Sequence, residues 1–112
     1  MRPALKTIYF TLNVKRYKIP MIKSFRCPDT ESLYEGRRVA RFVNFAVAAE
    51  RKLQMLDSAV TLDFLRTPPG NRLELLKGNR SGQHSIRIND QWRICFVWTD
   101  EGPAQVEIVD YH

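Results

Sequence analysis

The sequence predicts an α+β domain in which two N-terminal helices pack on one face of a small antiparallel β-sheet. Apolar residues recur at spacings of three and four over residues 42–60, as in an amphipathic helix. Over residues 84–98 they alternate with polar residues, as in β-strands. The breaker TPPGN at residues 67–71 separates the two patterns. Helices followed by a run of strands are typical of this fold class.

The first twenty residues differ in composition from the rest of the chain. They contain five basic residues and no acidic one, and Pro20 directly precedes a second methionine, Met21. We therefore expect residues 1–20 to be an extension, with Met21 as the natural start and residues 21–112 as a single domain. The extension lacks an apolar core and a cleavage site, which argues against a secretory signal.

The helical part begins after a predicted short strand at residues 22–26. Asp29 or Thr30 can cap the first helix, and Gly36 is the expected break before the second. The second helix is the clearest element, because its apolar residues form one stripe. This stripe consists of Phe42, Ala46, Ala49, Leu53, Leu56 and Val60.

Four strands are expected beyond the breaker. Their predicted ranges are 73–77, 84–89, 92–98 and 105–111, with turns at residues 78–82 and 100–103. The middle two strands should form a hairpin centred near Asp90, since only that register puts both apolar sets on the core face. It pairs Ile86 with Ile94 and places Arg87 opposite Arg93 on the other face.

The pairing of Arg87 with Arg93 needs an explanation, because like charges directly opposite each other destabilise a sheet. A bound phosphate would offset them, since an arginine fork matches phosphate geometry. A carboxylate of the fold would also do so, and the candidates are Glu74, Glu107 and Asp110. The sequence leaves both explanations open.

The charge distribution predicts a focused anion site rather than a uniformly basic surface. The chain has 18 Lys and Arg residues against 12 Asp and Glu, but five of the basic residues lie in residues 1–20. Within the domain, six basic residues and two acidic ones lie between Arg66 and Arg93. The last nineteen residues contain no Lys or Arg.

Composition argues against several classes of protein. The two cysteines, Cys27 and Cys95, and the two histidines, His84 and His112, do not stand at metal-ligand spacing. We expect no metal and two free thiols in a reducing cytoplasm. No apolar run approaches the roughly 20 residues needed to cross a membrane. The loop at residues 76–82 does not match the phosphate loop of nucleotide-binding proteins.

Two places in the sequence suggest chemistry. Lys77 ends a predicted strand, where its ammonium could meet the face of the arginines or could simply be solvated. The chain ends in Asp110, Tyr111 and His112, three side chains able to move protons. Histidine suits acid–base work near neutral pH, and neighbouring carboxylates favour its protonated form. The alternative is a frayed terminus without a function.

Residues 21–112 resemble the HigB toxins of the RelE superfamily, also described as plasmid maintenance system killer proteins. The resemblance lies in KLQMLD at 52–57, LELLKGNR at 73–80, QHSIRINDQWRICF at 83–96 and VEIVDYH at 106–112. The run 85–96 and the DYH ending are its most specific parts.

The resemblance implies a RelE-like fold and a toxin of a type II toxin–antitoxin system. The expected activity is cleavage of messenger RNA in the ribosomal A site, without metal or other cofactor, and in the cytoplasm. The expected partners are a HigA-type helix-turn-helix antitoxin, the ribosome and messenger RNA, with no membrane. The implied active site comprises Lys77, Arg93, Asp110, Tyr111 and His112. Arg80 and Arg87 match basic positions that face RNA or ribosome, to which we add Arg72 of the same basic segment.

The chain departs from the pattern at Glu74, where some relatives carry a histidine implicated in activity, so a mechanism with a histidine pair is in doubt. The main alternative function is that of the ParE toxins of the same superfamily, which act by binding DNA gyrase. The ending DYH argues against it, because a gyrase poison needs no terminal proton-transfer groups. A third hypothesis is an inactive relative retained for antitoxin binding or operator regulation.

Overall fold

Two helices cover one face of a four-stranded antiparallel sheet in the computed structural model, which describes residues 21–111. The helices are α1, Pro28–Tyr34, and α2, Ala46–Ser58. The strands, adjacent in chain order, are β1, Glu74–Leu75, β2, His84–Arg87, β3, Trp92–Thr99, and β4, Gly102–Asp110. The predicted α+β class is confirmed. The expectations for residues 1–20 and for His112 lie outside the described residues.

The segment before α1 runs along the free edge of β4, so the helices are not strictly N-terminal. The strand predicted at residues 22–26 is reduced to one parallel bridge between Phe25 and Val106. Ser24 binds β4 twice, since its carbonyl accepts from Val106 N at 3.1 Å and its Oγ from Gln105 N at 2.9 Å. The register of β4 shifts here, with Gln105 at a φ of 53°. Such a bulge interrupts regular pairing.

Helix α1 begins at least two residues earlier than the predicted caps allow. Cys27 is the N-cap without a side-chain hydrogen bond, and Pro28 opens the helix. Proline suits this position because its φ is preset and its missing N–H would be unsatisfied anyway. Asp29 and Thr30 therefore do not cap the helix. Thr30 is fully buried instead, and its Oγ1 accepts a hydrogen bond from Ile108 N at 3.0 Å, which ties α1 to β4.

Helix α2 carries most of the predicted apolar stripe into the core. Phe42, in the 3₁₀ turn Ala40–Phe45 before the helix, is fully buried, as are the helix residues Ala49, Leu53 and Leu56. Val60 was predicted wrongly, since it is 59% exposed. Helix α2 ends at Ser58, and the extended backbone of Ala59 takes Val60 off the helical period. The predicted break at Gly36 is confirmed by its φ of 90°.

The sheet contains the predicted hairpin, but the bounds of its first and last strands differ from the predicted ones. Ile86 pairs with Ile94 and both are fully buried against the helices. Strand β1 is much shorter than residues 73–77, because the chain enters a 3₁₀ turn at Gly78–Arg80. Strand β4 starts three residues earlier than predicted, at Gly102. The backbone of Met21 comes so close to this glycine that a Cβ here would lie 2.8 Å from the Met21 carbonyl oxygen. Among the described residues, no helix is long and apolar enough to span a membrane.

Candidate active site

The hairpin of β2 and β3 places Arg87 directly opposite Arg93, as the sequence predicted. The two guanidinium groups have different surroundings. Arg87 Nη2 pairs with Asp90 in the connecting turn, but the Asp90 side chain is 99% exposed. An ion pair so exposed to water contributes little to stability. Arg87 therefore keeps most of its ability to attract an anion.

Arg93 is held almost entirely inside the fold. Its side chain is only 12% exposed. Nε donates to Ser85 Oγ at 2.7 Å, and Nη2 donates to the carbonyl oxygen of Arg72 at 2.6 Å. Glu74 Oε1 lies 3.7 Å from Nη2. Within residues 21–111 no group accepts a hydrogen bond from Nη1, so two of its N–H bonds remain for a ligand.

Carboxylates near the two arginines explain how the fold accommodates two like charges opposite each other. Glu74 stands beside Arg93, and Asp90 stands beside Arg87. Of the candidates named from the sequence, Glu74 lies beside Arg93, whereas Glu107 pairs with Arg80. Partners within the fold thus make the arrangement possible without a bound phosphate.

The last residues of β4 lie beside the turn of the hairpin. The ring centroid of Tyr111 is 5.9 Å from Arg93 Cζ, within range of a cation–π contact. Gln91 holds this end, because its carbonyl accepts from Tyr111 N at 2.6 Å and its Nε2 donates to Asp110 Oδ2 at 3.0 Å. Asp110 pairs with Trp92, so alternation puts it on the helix side of the sheet, the opposite side from Arg93. Asp110 and Arg93 thus approach the strand ends from different faces.

The other predicted residues are distributed around this hairpin. Lys77 is exposed just after β1, and within residues 21–111 its ammonium has no hydrogen-bond or ion-pair partner. Arg80 is engaged within the fold, since its Nη1 lies 3.3 Å from Glu107 Oε1 and 3.1 Å from Gln83 Oε1. Arg72 is exposed and contributes its carbonyl to Arg93. The structure therefore brings Arg93 together with Tyr111 and Arg72, and pairs Arg80 with Glu107 instead.

Sequence reasoning missed a basic residue on the neighbouring helix. Lys52 of α2 donates from Nζ to Asn71 Oδ1 at 2.5 Å. Burial lowers the pKa of Lys52, and the positive charge of Arg87 lowers it further. Lys52 therefore lies within the electrostatic reach of Arg87. Only its place in the resembling stretch 52–57 could have drawn attention to it.

Two further ionisable groups, His84 and Cys95, have pKa values shifted by burial. Burial lowers the pKa of His84, and the charge of Arg66 acts in the same direction. The buried Nδ1 of His84 has no hydrogen-bond partner among the described residues. Burial raises the pKa of the Cys95 thiol, which makes it a poor nucleophile. No group of three or more His, Cys, Asp or Glu residues within 21–111 could hold a metal ion.

Comparison with known proteins identifies the family. The family model described as RelE-like toxin of type II toxin–antitoxin system HigB matches residues 23–112. This chain belongs to that family. Toxin HigB-1 of Vibrio cholerae serotype O1 is 40% identical over 94 residues, which are 82% of this chain and 98% of that toxin. An uncharacterized protein of Haemophilus influenzae is 41% identical over 48 residues, or 43% of this chain and 48% of that protein.

Among solved structures, the YoeB-YefM complex from Staphylococcus aureus contains a chain that is 20% identical to this one. The match covers 81% of this chain and 97% of that chain, with a TM-score of 0.49.

The family membership confirms the predicted HigB-type toxin of a toxin–antitoxin system. In this HigB-family chain, the hairpin end combines a fixed guanidinium with two open N–H bonds, an aromatic ring that is 39% exposed, and an exposed carboxylate. A guanidinium can bind a phosphate, a ring can stack on an unpaired base, and a carboxylate can accept a proton.

Proposed function

We propose that this toxin is an endoribonuclease that cleaves messenger RNA in the ribosomal A site, by transesterification and without a metal. The observation that carries the proposal is the guanidinium of Arg93. Hydrogen bonds from Nε and Nη2 fix its orientation, Nη1 is left for a phosphate oxygen, and the ring of Tyr111 lies 5.9 Å away. Fixed donors aimed at developing negative charge are an effective means of catalysis.

The reaction needs only groups that this chain supplies. The ribose 2′-oxygen bonds to the adjacent phosphorus, the bond from phosphorus to the 5′-oxygen breaks, and a cyclic phosphate remains. A base takes the 2′ proton and an acid protonates the departing 5′-oxygen, roles we assign to Asp110 and His112 in either order. In this proposal the phosphate lies at the strand ends, where Asp110 reaches it from the helix side and Arg93 from the other side of the sheet. Lys77 and Arg93 stabilise the negative charge that builds up on the phosphorane. Tyr111 stacks on a base or orients it through its hydroxyl.

Binding follows from the same basic region. We propose that Arg72 and Arg87 bind RNA phosphates, and that Arg80 does so in competition with its contact to Glu107. The proposed partners are the ribosome, messenger RNA and an antitoxin of the HigA type with a helix-turn-helix. The site of action is the cytoplasm, where these partners meet.

The test is to incubate the purified toxin with translating ribosomes and to map the ends of the messenger RNA. We expect new 5′ ends at A-site codons, and we expect Arg93→Ala and His112→Ala each to abolish both cleavage and growth inhibition while the protein stays folded. Arg37→Ala is a matched control, since Arg37 is an exposed residue after α1. Intact messenger RNA together with inhibited DNA gyrase would replace the nuclease by the ParE-like alternative. A protein that is neither toxic nor cleaving would support the inactive-relative hypothesis.

A further inference from the structure

We propose that Lys52 and Asn71 are positioning residues for Arg93, acting through the carbonyl of Arg72. The inference rests on the proposed nuclease function, because the role of Arg93 belongs to that function. It concerns two residues outside the predicted site, one on α2 and one in the loop before β1.

The side chain of Asn71 is fully buried and all of its polar groups are engaged. Oδ1 accepts from Lys52 Nζ at 2.5 Å, and Nδ2 donates to the carbonyl of Leu65 at 3.0 Å and lies 3.1 Å from Met55 Sδ. These contacts join α2 to the loop 63–72. A buried amide with both ends bound has a single orientation, so the backbone at residue 71 is fixed relative to α2.

Arg72, the residue after Asn71, makes the contact with the site. Arg72 has a left-handed backbone, with φ 44° and ψ 57°. This conformation is unfavourable for a residue other than glycine, and it persists only where the surroundings impose it. The anchor at Asn71 is such a constraint. With this backbone, the Arg72 carbonyl accepts from Arg93 Nη2 at 2.6 Å.

A continuous series of contacts therefore leads from Lys52 through Asn71 and Arg72 to the guanidinium of Arg93. Ser85 fixes Nε of that guanidinium, and Arg72 fixes Nη2. Together the two contacts determine where the open Nη1 lies. Misplacement of a catalytic group by about 1 Å can lower a rate about 100-fold. Loss of the Lys52 contact should thus reduce the rate of cleavage more than the binding of substrate.

The test compares Lys52→Met, which keeps the apolar stem but removes the donor, with Lys52→Arg, which restores a donor. Arg51→Met is the matched control, because Arg51 is exposed and adjacent on the same helix. In cleavage with translating ribosomes, we expect Lys52→Met to lower kcat about 10- to 100-fold and to change KM less than about threefold. We expect Lys52→Arg to recover much of the loss and Arg51→Met to have no effect.

A second measurement does not depend on activity. The Nε–H resonance of Arg93 in a ¹⁵N NMR spectrum, identified by its absence in Arg93→Lys, reports the bond to Ser85 Oγ. We expect Lys52→Met to shift or broaden this resonance while the backbone spectrum stays that of a folded protein, and Arg51→Met to leave it unchanged. If Lys52→Met does not fold, Lys52→Leu, which also removes the donor, replaces it in both measurements.

The possible results separate this inference from the proposed function. A raised KM with an unchanged Arg93 resonance would mean that Lys52 contacts RNA directly, and would overturn the positioning role. Unchanged kcat in Lys52→Met would also overturn it. If Arg93→Ala itself cleaves normally, the proposed active site is wrong, whereas the resonance still decides whether Lys52 positions Arg93.

Discussion

Replacing Arg93 with alanine should destabilise the fold by a predictable amount. The change removes hydrogen bonds from a charged donor to Ser85 Oγ, to the Ser85 carbonyl and to the Arg72 carbonyl, at 2.7, 3.4 and 2.6 Å. The three bonds share one guanidinium and do not add independently, so we count them together as one contribution of a charged group, about 1.5–3 kcal/mol. The change also relieves repulsion by Arg87, which for a cross-strand pair is about 0.2–1 kcal/mol. We expect the free energy of unfolding to fall by about 1–3 kcal/mol in total.

Such a loss leaves the protein folded, since domains of this size are stable by about 5–15 kcal/mol. The assay is urea unfolding of the wild type, Arg93→Ala and Arg87→Ala. Arg87→Ala should change stability by no more than about 0.5 kcal/mol, because its partner Asp90 is 99% exposed. If Arg93→Ala costs no more than Arg87→Ala, the contacts to Ser85 and Arg72 do not anchor the guanidinium. The fixed orientation on which the proposed mechanism depends would then be refuted.

Four other outcomes can be checked with purified protein. A tag directly after His112 should impair cleavage in the ribosome assay and an N-terminal tag should not, and equal activity would remove the terminus from the site. Burial lowers the pKa of His84 below its unfolded value of about 6.5, so the unfolded chain binds more protons than the folded one. The free energy of unfolding therefore falls as the pH drops below about 6.5, and His84→Gln should weaken this dependence in urea melts at pH 7.5 and 5.5. Tyr34→Phe should lower the free energy of unfolding by about 1.5–3 kcal/mol, because its hydroxyl donates to the Asp57 carboxylate at 3.0 Å, and an unchanged urea midpoint would contradict this. Leu53→Ala should cost about 2–5 kcal/mol in the same assay, since Leu53 is 1% exposed, and a cost below 1 kcal/mol would mean that this helix face is not core.

The hairpin could be predicted from the sequence because alternation restricts it strongly. A shift of one residue would have moved Ile86 or Ile94 to the wrong face of the sheet. The same restriction put Arg87 opposite Arg93, and the structure has both pairs. The apolar stripe of α2 was predictable for a similar reason, up to the residue at which the helix ends.

The contacts that fix the candidate site could not be predicted in this way. Lys52 and Asn71 are nineteen residues apart, and a hydrogen bond between them leaves no periodic signal in the chain. The loop 67–71 was interpreted only as a helix breaker, although its last residue is a buried anchor. Thr30 is a similar case, since its type suggested a helix cap and its hydroxyl binds β4 instead. Periodicity predicts which face is buried, but not which polar groups meet there.

The partners of each arginine distinguish a structural from a functional role. Arg80 lies 3.3 Å from the carboxylate of Glu107, and both side chains are partly buried, so the pair largely cancels its own charge. The short contacts of Arg93 are instead to a hydroxyl and to carbonyl oxygens, and the carboxylate of Glu74 is farther away and 56% exposed. Neutral acceptors fix the direction of a guanidinium without cancelling its charge, whereas a close carboxylate does both. Arg93 therefore combines a fixed geometry with an available positive charge, which is what binding a phosphate in one orientation requires.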